Sequence, residues 1–473
     1  MASPAPPSTP TLRDARALPA LLAEELRRRG VPGVSLLLSG RSLDGLGARS
    51  FLAARPLAVA AADPGEPLRL RAGPAPWGRE LDPCPLRAAA QLLARARPAS
   101  PASGDFAGGA ALTLSYDLGR RLERIAPDTP AEADPPPDLH LAVYGRVLCF
   151  DHLRGGHELR GAGPGLDEAE VEDALRAVAL AESAAPSAPL EPEPGGESLD
   201  AASYRAAVEE ARRLIRRGDL FEVNLSRRHR LPAADPARVA SALRALAPAA
   251  YMADLDLGHD AAGAGRRLLS ASPERFLRLE ADGRVSSWPI KGTRPRGATP
   301  AEDARLAAEL LESEKDAAEL AMIVDLVRND LGRVARPGSV RVAAPRLLQS
   351  WPAVHHTVAV VEAELAAGRD WADLVRAAFP PGSVTGAPKV RAQEVIEALE
   401  PVRRGLYCGA FGWVGFDGAL DLAVAIRILD LTRDRTDVHA GGAVLLDSDP
   451  DAEEREARTK ARALLRAAGA GRA

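Results

Sequence analysis

Fifty-seven arginines stand against four lysines in this chain of 473 residues. The lysines are Lys291, Lys315, Lys389 and Lys460, all in its second half. Arginine stays charged and is a poor nucleophile, whereas a lysine amine can lose its proton and attack carbon. A lysine kept where drift has favoured arginine therefore marks a candidate for covalent chemistry. The strongest is Lys291, in Trp-Pro-Ile-Lys-Gly-Thr-Arg-Pro-Arg-Gly (288–297).

Carboxylates supply a second signal. Glu453 and Glu456 lie just after Pro450, which can open a helix, and the i, i+3 spacing puts both on one face. With a third carboxylate they would suit Mg²⁺, which takes hard oxygen ligands and keeps waters. Read alone, the pair equally suits the solvated first turn of a helix, where the dipole favours acids. Glu319, on the charged side of a helical stretch over 314–333, is the candidate third ligand, although an amphipathic helix also accounts for it. Arg427 falls inside the apolar run 421–429, where a charge requires an anionic partner. The Gly/Ser/Thr loop 381–391 enters a helix near Pro388 and offers backbone amides to an anion. The glycines of 409–415 and 440–443 expose more amides, or simply permit tight strand packing. His355-His356 precedes a strand; such a pair is more often structural than catalytic.

These residues need a scaffold. Periodicity predicts a helix over 19–30, strands over 34–38 and 141–150, and a helix from Asp200 to Arg217 ended by Gly218. A strand over 221–231, one long helix over 302–333 and short strands at 358–362, 410–416, 422–428 and 442–446 follow. Strands and helices do not alternate strictly, which argues against a doubly wound parallel sheet. Residues 1–18 read as a disordered tail, 19–182 as an N-terminal unit, 183–199 as a Pro/Ala/Gly linker and 200–470 as the catalytic unit.

The chain carries a net charge of −4, so no global basic field invites nucleic acid. No apolar run reaches membrane-spanning length, and three scattered cysteines form neither a metal spacing nor a disulfide framework. A cytoplasmic address is expected. Walker, zincin and dinucleotide-binding motifs are missing.

Taken in order, the segments 218–228 (Gly-Asp-Leu-Phe-Glu-Val-Asn-Leu-Ser-Arg-Arg), 272–276 (Ser-Pro-Glu-Arg-Phe), 288–297, 314–333, 381–404, 407–428 and 440–460 resemble the chorismate-utilising enzymes. That family includes the first components of anthranilate synthase and aminodeoxychorismate synthase, and the isochorismate and salicylate synthases. The first half is similar more faintly, through 114–118 and 137–144. The resemblance implies an α+β, anthranilate synthase component I-like fold: two subdomains with large, mostly antiparallel sheets flanked by helices. It further implies that Lys291 attacks C2 of chorismate, with Glu274 as general acid and base. Mg²⁺ would be held by Glu319, Glu453 and Glu456. Gly292, Thr293, His356, Thr385, Tyr407, Arg427, Gly442 and Lys460 would bind the substrate.

Within that family Pro-Ile-Lys-Gly-Thr, as here, resembles the aminodeoxychorismate synthases, and Pro-Ile-Ala-Gly-Thr the anthranilate synthases. Ammonia would come from a glutamine amidotransferase partner or from solution, since no segment resembles an amidotransferase. Anthranilate synthase component I is the alternative activity, and a noncatalytic chorismate- or tryptophan-binding regulator the alternative class. Tryptophan in the first half, as inhibitor, structural ligand or not at all, is left open by the residues. Three departures from the family pattern stand out: Glu222 in place of the usual Gln, Ile428 after the substrate arginine in place of Thr, and Gly441-Gly442-Ala443 in place of Gly-Ala-Gly.

Overall fold

A computed structural model describes residues 16–40, 47–102, 104–126, 128–180, 196–259, 265–351 and 354–470. The tail expected over 1–18 falls mostly outside them, as does most of the expected linker. Two antiparallel sheets, each of 11 strands among the described residues, dominate the molecule.

The first sheet runs in the order Gly386–Ala387, Glu222–Pro232, Arg435–Val444, Ile428–Leu431, Gly265–Ser272, Tyr251–His259, Ser35–Leu38, Arg49–Ala53, Arg146–Asp151 and His157–Gly161. Gly196–Glu197 joins it at the side of Glu222–Pro232. The second runs Ile290–Pro295, Val354–Glu364, Arg284–Trp288, Arg275–Leu279, Leu420–Val424, Ala410–Gly415, Gly109–Leu114, Leu139–Tyr144, Ala58–Ala62 and Arg69–Ala72, with Arg341–Ser350 paired to Val354–Glu364. Each sheet thus takes strands from before and after 183–199, so the two stretches of chain are interleaved within both sheets.

Phe51, Ala53, Val147 and Cys149 of the first sheet meet Ala111, Ala142 and Trp413 of the second in one core cluster, so the sheets stack face to face. The strand period of two then sorts the side chains. Leu36 and Leu38 join the cluster that contains the Leu18–Arg28, Pro236–Leu246 and Pro450–Ala470 helices, while Leu37 turns the other way.

Most elements lie where periodicity puts them. Asp200 caps the Ala201–Arg216 helix by accepting from the Ser203 N–H at 2.7 Å, and Pro388 precedes the Lys389–Leu399 helix. Three expectations need correction. The helix expected over 302–333 is two, Pro300–Glu312 and Glu314–Gly332. Ser313 adopts an extended conformation between them, and its hydroxyl accepts from the Asp316 N–H at 3.2 Å, so a local cap outcompetes a continuous helix.

The strand expected over 141–150 is also two, Leu139–Tyr144 and Arg146–Asp151, in different sheets, with the chain crossing at Gly145. Both halves are buried, so the apolar run gives no sign of the break. The third correction is of the same kind: the strand expected over 422–428 ends at Val424, and the chain crosses through 425–427 into Ile428–Leu431. Arg427 sits in that crossing at φ +51°, not inside a strand. Pro273-Glu274 forms another crossing, between Gly265–Ser272 and Arg275–Leu279.

The crossing at Gly145 is tight. A Cβ there would lie 2.6 Å from the Ala162 carbonyl oxygen and 2.8 Å from that of Pro164. Gly145→Ala is therefore expected to destabilise the fold by about 1–3 kcal/mol through overpacking against backbone. Urea unfolding measures this; an unchanged midpoint would contradict the assigned crossing.

Candidate active site

The two crossings that carry Glu274 and Arg427 are tied to each other. The Val424 N–H donates to the Glu274 carbonyl at 3.0 Å, and the Ala271 N–H to the Arg427 carbonyl at 3.0 Å. Lys291 comes from the other direction, on the edge strand Ile290–Pro295 of the second sheet. A residue on the edge of one sheet thereby meets the start of the Glu222–Pro232 strand in the other. The Lys291 Nζ donates to Glu222 Oε1 at 2.6 Å, with both side chains buried at 8% and 0% exposure.

Burial disfavours the ammonium of Lys291, but Glu222, Glu319 and Glu274 outweigh it and hold its pKa above the usual lysine value. Glu274 is pushed up to about 7 by burial, against a hydrogen bond from the Ser383 side chain and the charge of Lys291. A carboxyl that still holds its proton near neutrality beside an amine is the pairing that general acid catalysis needs. Burial likewise raises Glu319 to about 7, and no hydrogen bond or ion pair satisfies it among the described residues.

Glu453, Glu456 and Lys460 project from the Pro450–Ala470 helix toward Gly442. A Cβ at Gly442 would stand 3.2 Å from Glu453 Oε2, 3.6 Å from Glu456 Oε1 and 3.8 Å from Lys460 Nζ, so glycine keeps a small cradle open there. Lys460 Nζ lies 2.7 Å from Glu456 and donates to the Gly441 carbonyl at 3.1 Å. Burial raises the pKa of Glu453, reinforced by Glu456; burial pushes Glu456 the same way, but Lys460 outweighs it and holds Glu456 low.

His356 shares a 2.8 Å hydrogen bond with the Thr293 hydroxyl through Nδ1, while its buried Nε2 has no partner. Burial, then Arg427, push the imidazole down to about 3, so it is neutral. Arg427 has no acidic partner among the described residues, and burial alone lowers its pKa. An unpaired guanidinium of this kind awaits an anion from outside. Gly292, at φ +77°, lets the chain pass Leu310 and Asp316, which a Cβ would approach to 2.9 and 3.0 Å.

Two further candidates are engaged by the protein itself. Thr385 is buried and its hydroxyl donates to the Pro381 carbonyl at 2.7 Å, shaping the loop. Tyr407 stacks on His439 at 5.3 Å and shares a small crevice with Ile428. The remaining lysines divide cleanly: Lys389 is buried against Asp330 and the Ala378 carbonyl, each at 2.6 Å, and Lys315 is exposed. A cavity of about 850 Å³ is lined by none of these groups; Leu37, Tyr251, Trp288 and Trp413 form part of its wall.

The sequence offered Glu222 as a departure whose carboxylate could act as a base toward water or ammonia, and did not show it as the partner of Lys291. Alternation with Val223 and Leu225 reads it as a solvent-facing strand residue, and nothing local shows that another sheet edge closes over it. The Arg404–Glu400 pair was missed as well. Arg404 binds both Glu400 oxygens at 2.6 and 2.9 Å, and donates to the Val384 carbonyl at 3.0 Å and the Asn224 carbonyl at 2.7 Å. Glu400 accepts from the Ser226 N–H at 2.7 Å. This buried pair fastens the 381–388 loop to the strand that presents Glu222.

As for Mg²⁺, no three His, Cys, Asp or Glu side chains among the described residues form a metal cage. The donors fit Mg²⁺ in another sense. They are hard carboxylate oxygens, two of them beside one glycine cradle and a third unsatisfied, and Mg²⁺ commonly takes one or two carboxylates and completes its shell with water.

A buried lysine paired with one glutamate, a second glutamate that burial raises to about 7, and a buried arginine without an acidic partner among the described residues suit a small anionic substrate. The chain belongs to the chorismate-binding enzymes, whose family model matches residues 48–466, and it is a chorismate-utilising enzyme. It is 41% identical to anthranilate synthase component 1 of Thermus thermophilus over 81% of this chain and 82% of that one. It is 36% identical to aminodeoxychorismate synthase component 1 of Escherichia coli over 81% and 82%. Anthranilate synthase component I of Streptococcus pneumoniae superposes with a TM-score of 0.74 at 29% identity, over 90% of this chain and 93% of that one. The fold is the expected α+β one. No helix among the described residues is long and apolar enough to cross a membrane.

Arg404→Met would strand the Glu400 carboxylate. The expected cost is about 3–5 kcal/mol in urea unfolding, recovered in large part by adding Glu400→Gln. Equal loss in the single and double variants would contradict the clamp.

Proposed function

We propose that this chain is the chorismate-aminating component of an aminodeoxychorismate synthase, using ammonia supplied by a separate glutamine amidotransferase. The observation that carries the reading is the buried amine of Lys291 placed with the proton-holding Glu274. The Lys291 amine attacks C2 of chorismate; the two ring double bonds shift, and the C4 hydroxyl leaves as water with the proton of Glu274. Ammonia then forms a bond to C4, the double bonds shift back, and the C2–nitrogen bond to Lys291 breaks. Glu274 recovers its proton from the new ammonium. Arg427 holds the enolpyruvyl carboxylate with the Gly442 amide and Tyr407, while neutral His356, fixed by Thr293, borders the ring. Mg²⁺, held by Glu319, Glu453 and Glu456, would offset the charge of the ring carboxylate. The naming of relatives as "component 1" supports a second, ammonia-supplying subunit.

The second reading is anthranilate synthesis, favoured by the 41% identity to the Thermus thermophilus protein. An amine able to bond C2 favours amination at C4 instead, because it occupies the carbon at which anthranilate receives its nitrogen.

Lys291→Ala should lose on the order of a thousandfold or more of the amination rate, with Mg²⁺-dependent chorismate binding retained by calorimetry. Undiminished amination would remove the covalent role. Glu274 must be protonated to donate, and its pKa is about 7. The rate should therefore fall about tenfold per pH unit above that value. In Glu274→Gln this descending limb should vanish together with most of the rate; an unaltered profile would reassign the acid.

A further inference from the structure

The geometry points to Glu222 as the proton acceptor that frees the Lys291 amine for attack, an inference that rests on the covalent role proposed for that lysine. The Lys291 Nζ and Glu222 Oε1 are 2.6 Å apart, the length of a charge-assisted hydrogen bond and short enough for direct proton transfer. Apart from Glu222, no side chain makes a hydrogen bond or ion pair with that ammonium among the described residues. Glu222 is fully buried and its second oxygen, Oε2, has no hydrogen-bond partner; Oε1 otherwise receives only a 3.4 Å contact from the Asn224 amide. The carboxyl thus keeps a free oxygen in a dry site, where acceptance of one proton neutralises both members of the pair at once.

The neighbouring acids do not take this role. Glu274 already bonds Ser383 and carries a proton near neutrality, which makes it the donor. Glu319 and Glu456 face the ammonium from their own helices and act on it only through space. The strand geometry then explains the aim. Phe221 points outward, Glu222 inward, and the Asn224 carbonyl two residues on is held by Arg404.

The proton balance closes without outside help. Glu222 takes one proton from the Lys291 ammonium, and the neutral amine forms the C2–nitrogen bond. The hydroxide leaving C4 takes the proton of Glu274. The adduct nitrogen is an ammonium, so it departs as neutral amine when ammonia adds at C4. It then recovers its proton from Glu222, and the product ammonium returns one to Glu274.

While the pair shares one proton internally, release of the amine does not depend on solvent pH. Without the carboxylate, the Lys291 proton must leave to solvent. The test is the rate of covalent adduct formation, followed by intact-protein mass with chorismate and Mg²⁺ but no ammonia, in the native protein and in the near-isosteric Glu222→Gln. The variant should form adduct about a hundredfold more slowly than the native protein at pH 7, and that ratio should close by roughly tenfold per pH unit as the solution becomes more alkaline, because the fall set by Glu274 is common to both proteins. Its KM for chorismate should stay within about threefold, which separates a lost base from a collapsed site. Equal adduct rates in the two proteins, or a native-to-variant ratio that stays the same at every pH, would overturn the role of Glu222. Absence of adduct in a native protein that still aminates would instead overturn the covalent reading beneath it.

Discussion

A lysine ammonium and a glutamate carboxylate, both out of water and 2.6 Å apart, join the edge of one sheet to the other. Removing two charges from water is costly, and their attraction rarely exceeds that cost by much. An apolar pair of similar volume would serve stability as well or better. The pair makes sense as stored chemistry: it keeps an amine at hand in a dry pocket, with its proton one short hop from release. Much of the surrounding structure serves to hold that distance. The Ile290–Pro295 strand is fixed by its neighbour Val354–Glu364, and the Thr357 hydroxyl donates to the Lys291 carbonyl itself. On the other side, Arg404 and Glu400 clamp the strand of Glu222.

The second constraint is topological. Chain segments that switch between stacked sheets leave regular backbone pairing, and here two such switches carry Glu274 and Arg427. Irregular backbone at the seam lets Arg427 take a left-handed conformation that a regular strand does not offer. The glutamates of the last helix reach Gly442 from outside the sheets.

Much of this was legible beforehand, for identifiable reasons. Lys291 stood out because its side chain offers what arginine cannot. The Asp200 cap and the Pro450 helix start announced themselves through local hydrogen-bonding chemistry. The expected candidates around Gly442 and the Thr293–His356 contact come together in space. The breaks at Gly145 and at 425–427 were not legible, because a strand buried on both faces gives the same apolar run whether it stays in one sheet or leaves for another. Ser313 was obscured because apolar periodicity continues across the cap. The role of Glu222 escaped because strand alternation says which way a side chain points and nothing about what covers it.

Relatives bearing two different names share this scaffold at similar identity, so the chemistry of this member must be read from its site. The central claim is that nitrogen enters at the carbon that loses its hydroxyl, with Lys291 holding the other one. Incubation with chorismate, Mg²⁺ and nitrogen-15 ammonium, followed by NMR and mass analysis of the product, tests it directly. The account predicts label on C4 and an intact enolpyruvyl ether. Labelled anthranilate with free pyruvate would contradict it.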